Sequence, residues 1–152
     1  ELLKVKIKPI KVHSNVKKNI KVLYFKGCIN NYVNPSCENA VKNILDNTCV
    51  EISEAEFECC GLPLKSSGDF DGFIKLAKKN LDLIPDEIDY LLFDCVSCKS
   101  TFLNYANFLE DVYKEKALKI AEKCISIYEL LDKINYESKI KWKEKKQRKR
   151  KK

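Results

Sequence analysis

The sequence contains no Met, one His, one Trp, 4 Gly and 4 Pro in 152 residues. So little glycine and proline excludes collagen-like and mucin-like chains, and 45% hydrophobic residues exclude a wholly disordered one. No apolar run approaches the ~18 residues of a membrane span, and the basic, alternating N-terminus lacks the continuous apolar stretch of a secretion signal. The expectation is a cytoplasmic protein. The missing Met adds the expectation that these residues begin inside a longer reading frame or follow processing. With one histidine, no Ser/His/Asp set is available. One domain's worth of chain remains, enough to bury roughly two-thirds of its unfolded surface.

The net charge of +7 is confined to the ends. Residues 1–21 carry +6 and residues 139–152 carry +9, whereas residues 22–138 carry −8. An acidic body is opposite to the usual nucleic-acid footprint, so nucleic-acid binding is not expected. The C-terminal run, Lys139 to Lys152, is low in complexity and cannot bury a core. It reads first as a solvated basic tail. A contact with RNA, DNA or an anionic membrane, or a frame slip into an adenine-rich tract, are the other readings.

Between the ends, short apolar runs alternate with helical patterns, which predicts an α/β fold: a small, mainly parallel sheet flanked by helices. Strands are expected near 21–26, 49–53 and 88–94. Helices are expected from Asn34-Pro35-Ser36 onward, from Asp71 to before Pro85, over about 97–109 and over about 116–131. In the last of these, Ala117, Ala121, Cys124, Tyr128 and Leu131 form one stripe. The corresponding division is a basic linker (1–20), a folded domain (21–132) and a basic tail (133–152). Parallel strands joined by helical crossovers place their carboxyl ends along one edge, where ligands sit in open α/β sheets. Cys28, Cys59-Cys60 and Cys95-Val96-Ser97-Cys98 all follow strand signals at that edge, so sequence-distant cysteines should converge.

Eight cysteines without a secretion signal argue for metal or redox chemistry over structural disulfides. Spacing sorts them: Cys28, then 30 residues to Cys59-Cys60, then 34 to Cys95, then two to Cys98. Cys37, Cys49 and Cys124 fall within predicted elements and read as buried, hydrophobe-like residues. Adjacent Cα atoms lie ~3.8 Å apart, inside the usual limit for a disulfide, so Cys59 and Cys60 need other partners. Structural zinc takes four ligands and would leave one of five thiolates surplus, whereas a cluster of several irons can share neighbouring thiolates. His13 lies far outside the pattern in a Lys-rich segment and reads as a surface residue.

Tyr24-Phe25-Lys26-Gly27-Cys28 with Asn31 to Pro35, Cys59-Cys60-Gly61-Leu62-Pro63 with Ser67-Gly68-Asp69, Ala77 and Asn80, and Asp94-Cys95-Val96-Ser97-Cys98 together resemble the cysteine-rich CCG domain. This domain occurs in heterodisulfide reductases and in the iron–sulfur subunits of glycolate oxidase, of the lactate-utilisation complex and of anaerobic glycerol-3-phosphate dehydrogenase. The resemblance covers about residues 21–132. It implies that Cys28, Cys59, Cys60, Cys95 and Cys98 are ligands of a [4Fe-4S] cluster, of the noncubane kind found in heterodisulfide reductases. It further implies electron transfer within a multi-subunit oxidoreductase. The partners would be a flavoprotein dehydrogenase subunit carrying the flavin and further iron–sulfur domains, with peripheral membrane association through the complex. Family members usually carry two such units in tandem, and this chain carries one. The rival expectation is a non-enzymatic scaffold in which the cysteines hold zinc or stay reduced thiols.

Overall fold

Alternation within two short apolar strands sets the architecture. In β1 (Ile20–Phe25) and β3 (Tyr90–Phe93), successive side chains leave opposite faces, and both faces are covered. Leu23, Phe25, Leu91 and Phe93 enter one core, while Val22, Tyr24 and Leu92 enter a second core behind the sheet. The computed structural model describes residues 19–33, 36–46 and 48–136. Among these residues no helix is long and apolar enough to cross a membrane.

Four strands form one parallel sheet in the order β2-β1-β3-β4, with β2 at Val50–Glu54 and β4 at Cys124–Ser126. The expected α/β class and parallel sheet are what the structure has. The crossovers are α1 (Cys28–Tyr32) and α2 (Ser36–Leu45), then α3 (Leu62–Ser67) and α4 (Phe70–Asp82), then α5 (Val96–Leu103), a 3₁₀ turn (Tyr105–Asn107) and α6 (Asp111–Lys123). The last helix, α7 (Ile127–Lys133), follows β4. Phe73, Ala77 and Leu81 of α4, Phe102 of α5 and Ile120 of α6 pack on the first core. Val41 and Leu45 of α2 and Leu130 of α7 pack on the second.

Three expectations are corrected. The expected helix over 116–131 is interrupted: Ile125 pairs with Leu92 as the middle of β4, and α7 restarts from a capping box between Ser126 and Glu129. Tyr128, placed on the buried stripe by its spacing, is 73% exposed. The expected helix over 97–109 stops at Leu103 and continues only as a 3₁₀ turn, where Asn104 donates its side-chain amide to Ser100 C=O at 2.7 Å, competing with the backbone. Two short helices, α1 and α3, stand where the sequence pattern shows none. Asn34, Pro35, His13, the 1–18 segment and the tail beyond 136 lie outside the described residues.

Candidate metal centre

From β1 the chain crosses to β2 on one side and then, through α3 and α4, to β3 on the other. The sheet's direction of growth therefore reverses between β1 and β3, and the carboxyl ends of these two strands flank a natural binding crevice. Phe25 and Phe93 are paired in register, so both strands end at one level. Cys28 follows the first and Cys95 the second.

Each cysteine segment is held by its own backbone feature. Gly27, at φ +54°, turns the chain into α1, and a Cβ there would stand 3.6 Å from Cys98 Sγ. Gly61, at φ +85°, turns the Cys59-Cys60 segment into α3, and a Cβ there would meet Phe73 Cδ2 at 2.7 Å. Cys95 is the N-cap residue of α5, and Cys98 lies in its first turn. Tyr24 Oη donates to Asp94 Oδ2 at 2.7 Å, and Asn30 of α1 donates to the same oxygen. This second bond ties the helix that begins at Cys28 to the residue before Cys95.

The five spaced cysteines are brought together as a string. Cys28 Sγ lies 3.6 Å from Cys59 Sγ. Cys59 adjoins Cys60 in sequence, Cys60 and Cys98 each shift the other's titration, and Cys95 acts on Cys98 in turn. Cys60 and Cys98 are buried, and the other three are half-buried. Cys37, Cys49 and Cys124 are not part of the string. Cys124, in β4 and not in a helix, donates to Ile120 C=O at 3.3 Å, and burial pushes its thiol up to about 12.

Burial and local donors set each thiol. Donation from Cys98 brings Cys60 down to about 6, with help from Leu62 N–H, and the same bond and burial drive Cys98 far up. Burial raises Cys59 to about 11. Burial also acts to raise Cys95, but the Ser97 hydroxyl at 3.1 Å and the N–H groups of Ser97 and Cys98 outweigh it, and Cys95 is lowered. Beneath the sulfurs lies an aromatic floor. Phe25, Phe93 and Phe102 are mutually packed with centroids 4.8–5.3 Å apart, and Tyr105 lies 4.5 Å from Phe102. On the solvent side, Cys28 and Cys59 line an open cleft of about 640 Å³ with Tyr24, Lys26 and Phe57.

Among the described residues, no three His, Cys, Asp or Glu side chains stand ready to hold one metal ion. The donor set suits another use. A string of five soft sulfurs over a dry floor offers neighbouring thiolates to several metal atoms, which one tetrahedral ion cannot use. Tyr105 was not singled out in the sequence, and Asn80 entered only as part of a motif. Tyr105 donates to Cys60 C=O, and Asn80 to Cys59 C=O. A buried Tyr or Asn gives no periodicity by which its partner could be read.

Residues 22–103 match the family described as the CCG cysteine-rich domain. Lactate utilization protein A of Bacillus pumilus (strain SAFR-032) is 30% identical over 115 residues, which are 74% of this chain and 48% of that protein. The chain thus spans about half the length of that relative. No solved structure matches.

Proposed function

Because the chain belongs to the CCG cysteine-rich domain family, we propose that it is an iron–sulfur unit of an electron-transferring oxidoreductase subunit of the lactate- or glycolate-oxidising type. The observation that carries this reading is the string of five thiols at the reversal point of the sheet. Cys28, Cys59, Cys60, Cys95 and Cys98 would hold the cluster, of the [4Fe-4S] class and noncubane in kind. When bound, it supplies reversible one-electron storage. The chain's own residues do the rest. Phe25, Phe93 and Phe102 keep water from the inner sulfurs, and N–H groups of Leu62, Ser97 and Cys98 stabilise thiolate charge. The open cleft leaves the Cys28–Cys59 side accessible to an electron partner.

The two electrons of hydroxy-acid oxidation would be collected by a flavin on a partner subunit and passed on singly. Further iron–sulfur domains and, through the complex, a membrane surface complete the proposed path in the cytoplasm, with residues 21–132 as the working unit between basic ends. The test is anaerobic preparation with iron and sulfide analysis and electron paramagnetic resonance. A brown protein with about four irons per chain supports the assignment. A colourless protein with stoichiometric zinc overturns it in favour of a scaffold.

A further inference from the structure

Asn80, from α4, is fully buried and spends its polar atoms on the cysteine turn. Its Oδ1 accepts Glu58 N–H at 2.9 Å, and its Nδ2 donates to Cys59 C=O at 3.0 Å and to the Tyr105 oxygen at 3.5 Å. Tyr105, also fully buried, donates its hydroxyl to Cys60 C=O at 2.8 Å. Burial holds the Tyr105 phenol far above its ordinary range, so it remains a donor at every working pH.

Each peptide unit is planar and trans, so its C=O and N–H point in opposite directions. The carbonyl of Cys60 and the N–H of Gly61 belong to one such unit. Turning that carbonyl inward toward Tyr105 therefore aims Gly61 N–H outward, to the side of the Cys59 thiol, on which it acts to favour the thiolate. Asn80 fixes the preceding unit in the same way by holding Cys59 C=O. Donation at the carbonyl end of a peptide also polarises its N–H, and hydrogen bonds in such chains reinforce one another.

We propose that Tyr105 and Asn80 are positioning residues that act through the Cys60–Gly61 peptide on Cys59 sulfur, and so set the reduction potential of the centre from the opposite side of the backbone. Hydrogen bonds to cluster sulfur stabilise the more negative, reduced state. Slackening the Gly61 bond therefore lowers the potential while leaving every thiol in place. This inference rests on the iron–sulfur reading above.

Tyr105→Phe removes one hydroxyl and keeps the ring that packs on Phe102. In the loaded protein, iron content should equal that of the unaltered chain, while the midpoint potential shifts to a more negative value. In the iron-free protein, exchange of the Gly61 amide should quicken roughly fivefold or more, with the amides of β1 and β3 unchanged. Asn80→Ser, which shortens the buried amide, should move both readouts in the same direction. An unchanged potential in a fully loaded Tyr105→Phe protein overturns the inference and leaves the function standing. Failure of the unaltered chain to take up iron overturns the function, and an unchanged Gly61 exchange rate then overturns the peptide clamp as well.

Discussion

Five of the eight cysteines meet and three do not, and this division gives the sharpest test at single positions. Replacing Cys59, Cys60, Cys95 or Cys98 by Ser should sharply lower iron content measured after anaerobic reconstitution. Cys37→Ser or Cys124→Ser should keep the iron and cost only packing, on the order of 1 kcal/mol in chemical denaturation. Equal iron loss in both groups would refute the proposed ligand set. Gly61 is closed to substitution on two counts: any side chain there takes a left-handed backbone and meets Phe73. Gly61→Ala should destabilise the fold by about 2 kcal/mol or more, read from a denaturant midpoint. The convergence of the five cysteines was legible because each segment follows a strand signal at the edge where parallel strands end. Asp94, Tyr105 and Asn80 were not legible as partners of the site, because a hydrogen bond between residues tens of positions apart leaves no local spacing.

Elements whose pattern is short or ambiguous are where sequence and structure part. The strands β1, β2 and β3 and the helices α2 and α4 were legible from apolar alternation and amphipathic spacing. The strand β4 was hidden because Cys124 and Tyr128 fall at helical intervals, and only the tertiary pairing of Ile125 with Leu92 breaks the helix there. The restart of α7 depends on Glu129, which accepts from Ser126 N–H and hydroxyl and pairs with Lys99 of α5. Lys99 first, then Ser126, holds the Glu129 carboxyl down at about 2 from the usual 4.5. A carboxyl depressed in the native state stabilises fully above its ordinary value, and that contribution is lost as pH falls from about 4.5 toward 2. Glu129→Gln should therefore flatten the acid limb of the stability profile in that window while leaving its neutral-pH slope unchanged. Because the carboxylate is largely exposed, the loss near neutral pH should stay below about 1 kcal/mol in thermal or denaturant unfolding.

For the whole molecule, the proposed role is that of a relay, and the string of five thiols is the feature that supports it. The loaded chain alone should take electrons from a chemical reductant yet show no lactate- or glycolate-dependent dye reduction. Turnover by this chain without flavin or partner would refute the relay. The string of sulfurs has a second consequence, which concerns chain freedom. Cys28 and Cys59 lie 31 positions apart in sequence, in the first and second crossovers, and the string continues into the third. Fastening these sulfurs to one shared group closes several rings in the covalent path. The entropy of closure grows only slowly with ring length, so the number of rings matters more than their sizes. Binding of the proposed cluster would thus tie the three crossovers to one another, and its loss would free those segments while the central strands keep their own packing. On that proposal, a protease that samples such openings should cut the unloaded chain first in the crossovers around Cys28, Cys59 and Cys95, so an emptied unit would carry its own signal for removal.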